Sequence, residues 1–339
     1  MNRSFTSRWI ATAVGTWLCC ANAFAQTADV SMVFVGDLML AELPGKRIAQ
    51  GHNPFESFAP ILNQSDIRIG NLECVISTIG KAEDKPFTFR AHPRVLPLIK
   101  KHFDAVSLAN NHTGDFGPAA FGQMLDFLNQ AKIPFFGGGR DLQQAHKPML
   151  FKRHGITIAV LGYNEFFPRS FEADVDRPGS AWSDDEQVVA DIKAARLIHQ
   201  ADVVIPFMHW GVEDEPYATT RQQRLARLMI EAGADAVVGS HPHVTQNTEF
   251  YKGRPIVYSL GNFVFDGYSS LENTTGWALQ LAVDKEGVRQ ARIHVARIDK
   301  YATPRPSRPS RPSRPSRPSR HDAGQCWQRG ESGFQDCKP

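Results

Sequence analysis

Short β-branched apolar runs alternate along this chain with longer stretches whose apolar residues recur at helical spacing. The runs predict strands over 31–35, 67–72, 105–109, 156–161, 203–207, 236–239 and 256–260. Between them, 93–101, 118–131, 184–199 and 220–232 read as helices. Phe121, Met124, Leu125 and Leu128 share one face of 118–131, and Leu225, Leu228 and Met229 one face of 220–232, which Gly233 ends. Asp184 and Asp185 suit a helix start. Near the end, 277–283 and 288–298 flank Asp284-Lys285-Glu286-Gly287, a hairpin sequence. The alternation predicts an α/β fold with one late antiparallel hairpin.

Four of these strands end in a group that could bind a metal. Val33-Phe34-Val35-Gly36 leads to Asp37, Val106–Ala109 to Asn110-Asn111-His112, Val203–Met208 to His209, and Ala236–Ser240 to His241-Pro242-His243. Open α/β sheets place their sites at strand C-termini. Asn71-Leu72-Glu73 adds a carboxylate beyond the 67–72 strand. The set Asp37, Glu73, Asn111, His209, His241 and His243 has the oxygen and nitrogen mixture of a divalent transition-metal site, for one or two ions of Mn, Fe or Zn. His112, beside Asn111, is free to move a proton. Two carboxylates under two dications leave positive charge, which favours an anionic substrate. Gly211, after the bulky Trp210, suggests a tight backbone near a ligand.

The 339 residues, 42% of them hydrophobic, suffice for one large domain or two ordinary ones. The net charge of +3 conceals an uneven distribution. Residues 26–301 hold 28 basic and 32 acidic side chains, so no nucleic-acid partner is expected. Residues 1–25 combine Arg3 and Arg8, an apolar stretch and Ala23-Phe24-Ala25, the pattern of a cleaved signal peptide. The protein is therefore expected outside the cytoplasm, periplasmic or associated with the cell envelope. Three cysteines remain after cleavage. Cys326 and Cys337 form the expected disulfide, and Cys74, in an apolar run, is expected as a buried thiol. The body at 26–301 is followed by 302–320, which contains five Arg-Pro-Ser triplets closed by Arg320. Its prolines predict an extended solvated linker. Residues 321–339 are expected as a loop-like tail tied by the disulfide.

Six motifs then fall in a familiar order: Phe34-Val35-Gly36-Asp37, Asn71-Leu72-Glu73, Ala109-Asn110-Asn111-His112, His209-Trp210-Gly211 with Glu213, Ala232-Gly233-Ala234-Asp235 through Gly239-Ser240-His241-Pro242-His243-Val244, and Tyr258-Ser259-Leu260-Gly261-Asn262-Phe263. Over residues 30–270 the chain resembles the CapA-type capsule synthesis family, the poly-γ-glutamate capsule biosynthesis proteins. That family is itself similar to calcineurin-like metallophosphoesterases. The resemblance implies a four-layer α-β-β-α sandwich of the metallophosphoesterase type. It implies Asp37 as first metal ligand, Glu73 as bridging carboxylate, Asn111 with His209, His241 and His243 as further ligands, and His112 as the catalytic histidine. The chain departs from the phosphoesterase pattern at Met39, where a histidine ligand is expected. That leaves a mononuclear site, a weak second ion, or a recruited residue such as Glu213 or Asn262. Glu213 and Asn262 are also candidates for substrate contact. Three activities are compatible with the resemblance: hydrolysis of a phosphoester, metal-dependent amide hydrolysis that trims the polymer, and non-catalytic assembly or export of an anionic polymer. A membrane-bound capsule synthase complex is the implied partner.

Overall fold

A computed structural model describes residues 29–167, 169, 171–307 and 325–337. The expected signal peptide and residues 308–320 of the repeat lie outside the described residues. The strands used below are β1 (Val30–Leu38), β2 (Ile67–Asn71), β3 (Ala105–Ser107), β4 (Phe135–Phe136), β5 (Met149–Arg153), β6 (Ile156–Asn164), β7 (Val203–His209), β8 (Val237–Ser240), β9 (Thr248–Tyr251), β10 (Arg254–Val257), β11 (Asn262–Val264), β12 (Thr275–Asp284), β13 (Gly287–Ile298), β14 (Pro304–Pro306), β15 (Gln325–Gln328) and β16 (Gln335–Asp336). The longer helices are α1 (Glu42–Ala49), α2 (Leu96–His102), α3 (Gly117–Ala131), α4 (Asp185–Leu197) and α5 (Thr220–Ala232).

Two large sheets face each other. The first runs β16-β15-β13-β12-β1-β2-β3-β4, with β11 also on β1 and β14 on β13. The second runs β9-β10-β8-β7-β6-β5. In the first, β1 to β4 are parallel, and β12 and β13 form the expected antiparallel hairpin. In the second, β6, β7, β8 and β10 are parallel, with antiparallel strands at both edges.

The period-2 geometry of β1 shows the layering. Met32 and Phe34 point into the core between the sheets, where they meet Ile158, Ile205, Phe207 and Val238. Val33 and Val35 point the other way, onto Ile99 of α2 and Phe121, Met124 and Leu128 of α3. The second sheet turns Ala159, Leu161 and Val204 outward, onto Val188 and Ile192 of α4 and Leu225 and Met229 of α5. The result is four layers, α-β-β-α, as the resemblance implies. Both central strands are buried on both faces, hence their unbroken apolar sequence. Phe34 and Phe207 meet edge to face at 5.6 Å and bridge the sheets.

Three expectations change. The strand expected over 256–260 stops at Val257. From there the chain crosses between sheets: the Leu260 amide donates to the Gly239 carbonyl at 2.8 Å, and the Trp277 amide donates to the Leu260 carbonyl at 2.8 Å. The tail is not a loop. β15 pairs antiparallel with β13, β16 pairs with β15, and Trp327 is buried in the core between the sheets, 5.0 Å from Phe250. An open edge on β13 and one large aromatic suffice for this, and neither shows in local polarity. β14 pairs with the same strand, so Pro304–Pro306 belong to the sheet rather than to a spacer. Cys326 and Cys337 are bonded, and Cys74 is a buried thiol whose pKa burial pushes up to about 12. No helix among the described residues is long and apolar enough to cross a membrane.

Candidate metal centre

Three neighbouring strands of the first sheet place Asn262, Asp37 and Asn71 in one row. The row needs Gly36, because a Cβ there would lie 1.8 Å from the Gly261 carbonyl oxygen. Asp37 is fully buried. Its Oδ1 accepts from the Asn71 amide at 2.8 Å and its Oδ2 from the His241 backbone N–H at 3.4 Å. Burial raises its pKa above the ordinary value, against the pull of His243 and Asn71.

Glu73 follows β2 and is also fully buried, yet neither carboxylate oxygen has a hydrogen-bond partner. Burial, then the charge of Asp37, holds its pKa well above the ordinary 4.5. Its Oε1 lies 3.6 Å from His209 Nε2 and 3.9 Å from His243 Nε2, too far for hydrogen bonds. Buried polar groups are nearly always paired, so these orphaned atoms demand a partner.

The second sheet supplies the imidazoles. His209, the last residue of β7, points Nε2 at Asn111 Oδ1 (2.7 Å) and His241 Nδ1 (3.1 Å). With Glu73 Oε1, four potential ligand atoms from four residues therefore converge. Their separations from His209 Nε2, 2.7–3.6 Å, bracket the ligand-to-ligand edges of about 3.0–3.5 Å that follow from metal bonds near 2.1 Å. Burial holds His209 and His241 well below the ordinary histidine pKa, and the neighbouring histidines lower them further. Both rings are thus neutral and able to donate a lone pair. His241 and His243 sit at φ of +100° and +57°, a costly backbone for non-glycine residues that is characteristic of functional sites. His243 hydrogen-bonds Asn262 Oδ1 through Nδ1 at 2.9 Å, which leaves Nε2 as its ligand atom. The Asn262 amide nitrogen donates to the carbonyls of His243 and Asn273, at 3.2 and 3.0 Å. Asn262 thus holds the ligand loop, with its oxygen on His243 and its amide nitrogen on two carbonyls.

Three overlapping ligand trios result: Glu73, His209, His241; Asp37, Glu73, His243; and Glu213, His241, His243, each with ligand atoms within 4.8 Å of one another. The structure therefore brings together Asp37, Glu73, Asn111, His209, His241, His243 and Glu213. Met39 is apart: its side chain is buried with Ala41 and Phe265 and offers no ligand. Gly211 is also not a ligand-side glycine. It has φ of +98°, and a Cβ there would meet the Gln222 side chain.

His112 lines a cleft of about 820 Å³ with Asn111, Glu213, Phe87, Phe167 and Trp182. Its Nδ1 pairs with Asp115 Oδ2 at 2.8 Å, its ring packs 4.4 Å from Phe89, and Lys85 pairs with the other Asp115 oxygen. Burial lowers the His112 pKa and Asp115 opposes that shift. Three residues stand outside the sequence-derived set. Asn71 joins Asp37 to His209, Asn110 accepts from the His112 backbone at 3.1 Å and donates to the Leu72 carbonyl at 2.9 Å, and Asp115 holds His112. Their only signals in the sequence are an aspartate three residues after the histidine and asparagines at two strand ends.

The family described as "Bacterial capsule synthesis protein PGA_cap" matches residues 31–267. "PGA biosynthesis protein CapA" of Bacillus subtilis is 33% identical over 285 residues, covering 82% of this chain and 73% of that protein. "Capsule biosynthesis protein CapA" of Bacillus anthracis is 31% identical over 251 residues, 71% of this chain and 61% of that protein. Among solved structures, the Haemophilus influenzae NAD nucleotidase is 12% identical, with a TM-score of 0.43 over 82% of this chain and 53% of that one.

Proposed function

The chain belongs to the bacterial capsule synthesis protein family, and we propose that it serves poly-γ-glutamate capsule synthesis as an exported metal-dependent hydrolase of a phosphoester in an anionic substrate. The observation that carries this reading is Glu73: a fully buried carboxylate with no hydrogen-bond partner, facing neutral imidazoles. A divalent cation fits that donor set, and when bound it supplies Lewis-acid polarisation of the scissile bond and activation of water. Asp37, Glu73, Asn111, His209, His241 and His243 would hold it. Asn262 and Asn71 keep His243 and Asp37 in their binding geometry. His112 would give its proton to the leaving oxygen, with Asp115 fixing the ring through Nδ1. The cleft beside His112 would take the substrate.

The second reading, an assembly protein that binds anionic polymer without turnover, draws on Met39, which removes one expected ligand. Metal content of the natively purified chain, with a panel of phosphomonoesters, phosphodiesters and γ-glutamyl peptides, separates the readings. Wild type should contain divalent metal and hydrolyse a phosphoester. His241→Ala should lose metal, and His112→Ala should keep metal and lose turnover. A metal-free wild type refutes the metal centre. Metal without hydrolysis of anything on the panel favours the assembly role, and cleavage of the γ-glutamyl peptides alone would make it an amide hydrolase.

A further inference from the structure

Met39 stands where the resemblance implies a ligand and offers none, and Glu213 is an exposed carboxylate beside the centre. It sits on the loop after β7, and its oxygen lies within 4.8 Å of ligand atoms on both His241 and His243. Other candidates for the place are already engaged. Asn262 has its oxygen on His243 and its amide nitrogen on two carbonyls. Asp115 is held by His112, Lys85 and the Phe89 backbone. A second, independent sign of a missing partner is His241 Nε2, which is buried without a hydrogen bond while Nδ1 of the same ring faces His209. A neutral imidazole carries a proton on one nitrogen and a lone pair on the other, so a buried Nε2 with no hydrogen bond is short of either an acceptor or a cation.

We propose that Glu213 is a metal ligand, which with His243 holds a second divalent cation on the cleft side of the centre and replaces the ligand that Met39 does not provide. This rests on the metal-centre reading above. It makes the two positions unequal. The position around Glu73, His209 and His241 is built from fully buried side chains, whereas Glu213 is exposed to solvent. The cleft-side cation should therefore exchange readily and be lost first. A third carboxylate also reduces the positive charge left over two dications.

The test is titration of the metal-stripped chain with Mn²⁺, following free ion by its electron paramagnetic resonance and bound ion by elemental analysis. Wild type should take up two ions per chain in a tight and a weaker step. Glu213→Gln should weaken the second step at least about tenfold, the lower end of what losing even an outer-shell partner costs. The tight step should stay unchanged. Glu215→Gln, a second exposed carboxylate on this loop, should change neither step. A Glu213→Gln chain that binds two ions like wild type overturns the assignment, as does a wild type with one step that Glu213→Gln leaves unmoved. A wild type that binds no Mn²⁺ or Zn²⁺ instead brings down the metal centre itself.

Discussion

Replacing Glu73 by glutamine should stabilise the metal-free protein and abolish its stabilisation by metal. In the metal-free fold, Glu73 and Asp37 are both fully buried with ligand oxygens within 4.8 Å. Two like charges at that distance repel by about 3.5 kcal/mol at an effective dielectric near 20. The fold can escape by protonating Glu73. At pH 7 that proton uptake costs no more than the distance from the ordinary 4.5, about 2.5 pH units at 1.36 kcal/mol each, or about 3.4 kcal/mol. The penalty removed by Glu73→Gln is therefore at most about 3.4 kcal/mol at pH 7, or roughly 10 °C in Tm for a domain of this size. The sign with pH follows from a folded pKa raised above the unfolded one. The advantage is absent below about pH 4.5 and grows as pH rises toward the folded pKa. Mn²⁺ at about a thousand times Kd should reverse the ranking. Wild type gains about 4.1 kcal/mol there, and the variant, lacking the shared carboxylate, gains little. Thermal and urea melts in chelator and in Mn²⁺ measure all four values. A variant that melts below wild type in chelator, or that keeps the full Mn²⁺ shift, refutes the reasoning.

Asp115→Asn preserves shape but removes the carboxylate that holds His112 Nδ1; turnover should fall by about 10²–10⁴, the range of a general acid, with metal content and KM little changed. Equal losses in the metal content of this variant would move Asp115 into the metal-binding framework. Trp327→Ala should destabilise the body by about 3–5 kcal/mol in urea melts, because its ring fills the core between the sheets; a change near zero would mean the tail packs only loosely. His102 accepts from the Asn53 amide through Nε2 at 3.0 Å, and burial lowers its pKa to about 4. The unfolded chain therefore binds this proton first as pH falls below 6.5, so stability is full above 6.5 and declines toward about pH 4. His102→Gln should flatten that decline, and an unchanged urea-midpoint profile would contradict it.

The candidate ligand residues and the α/β alternation are legible because both follow from local sequence, whereas the four layers were implied only by the family resemblance. A strand buried on both faces needs unbroken hydrophobic residues, and β1 and β7 carry such runs. A group that ends such a run sits at the strand's C-terminal end by geometry alone, which places Asp37 and His209. The supporting residues are not legible in this way. Asn71, Asn110 and Asp115 act through bonds to residues from other elements, and a polar residue beside a ligand looks like any turn residue until its partner is known. The tail escapes a local reading for a related cause: Trp327 is one apolar residue among polar ones, and only the free edge of β13 makes a strand of it.

By itself, the sequence determined the alternation of strands and helices and the residues able to bind a cation, and the family resemblance added the expected gap at Met39. The tertiary structure alone decided that Glu73 is left without a partner, that Asn262 fixes the His243 ring, and that Glu213 approaches the site. The physical reason is distance along the chain. Periodicity and strand ends are set by neighbours in sequence, whereas hydrogen bonds between Asp37 and His241, or Asn111 and His209, form only after two separate sheets have packed face to face.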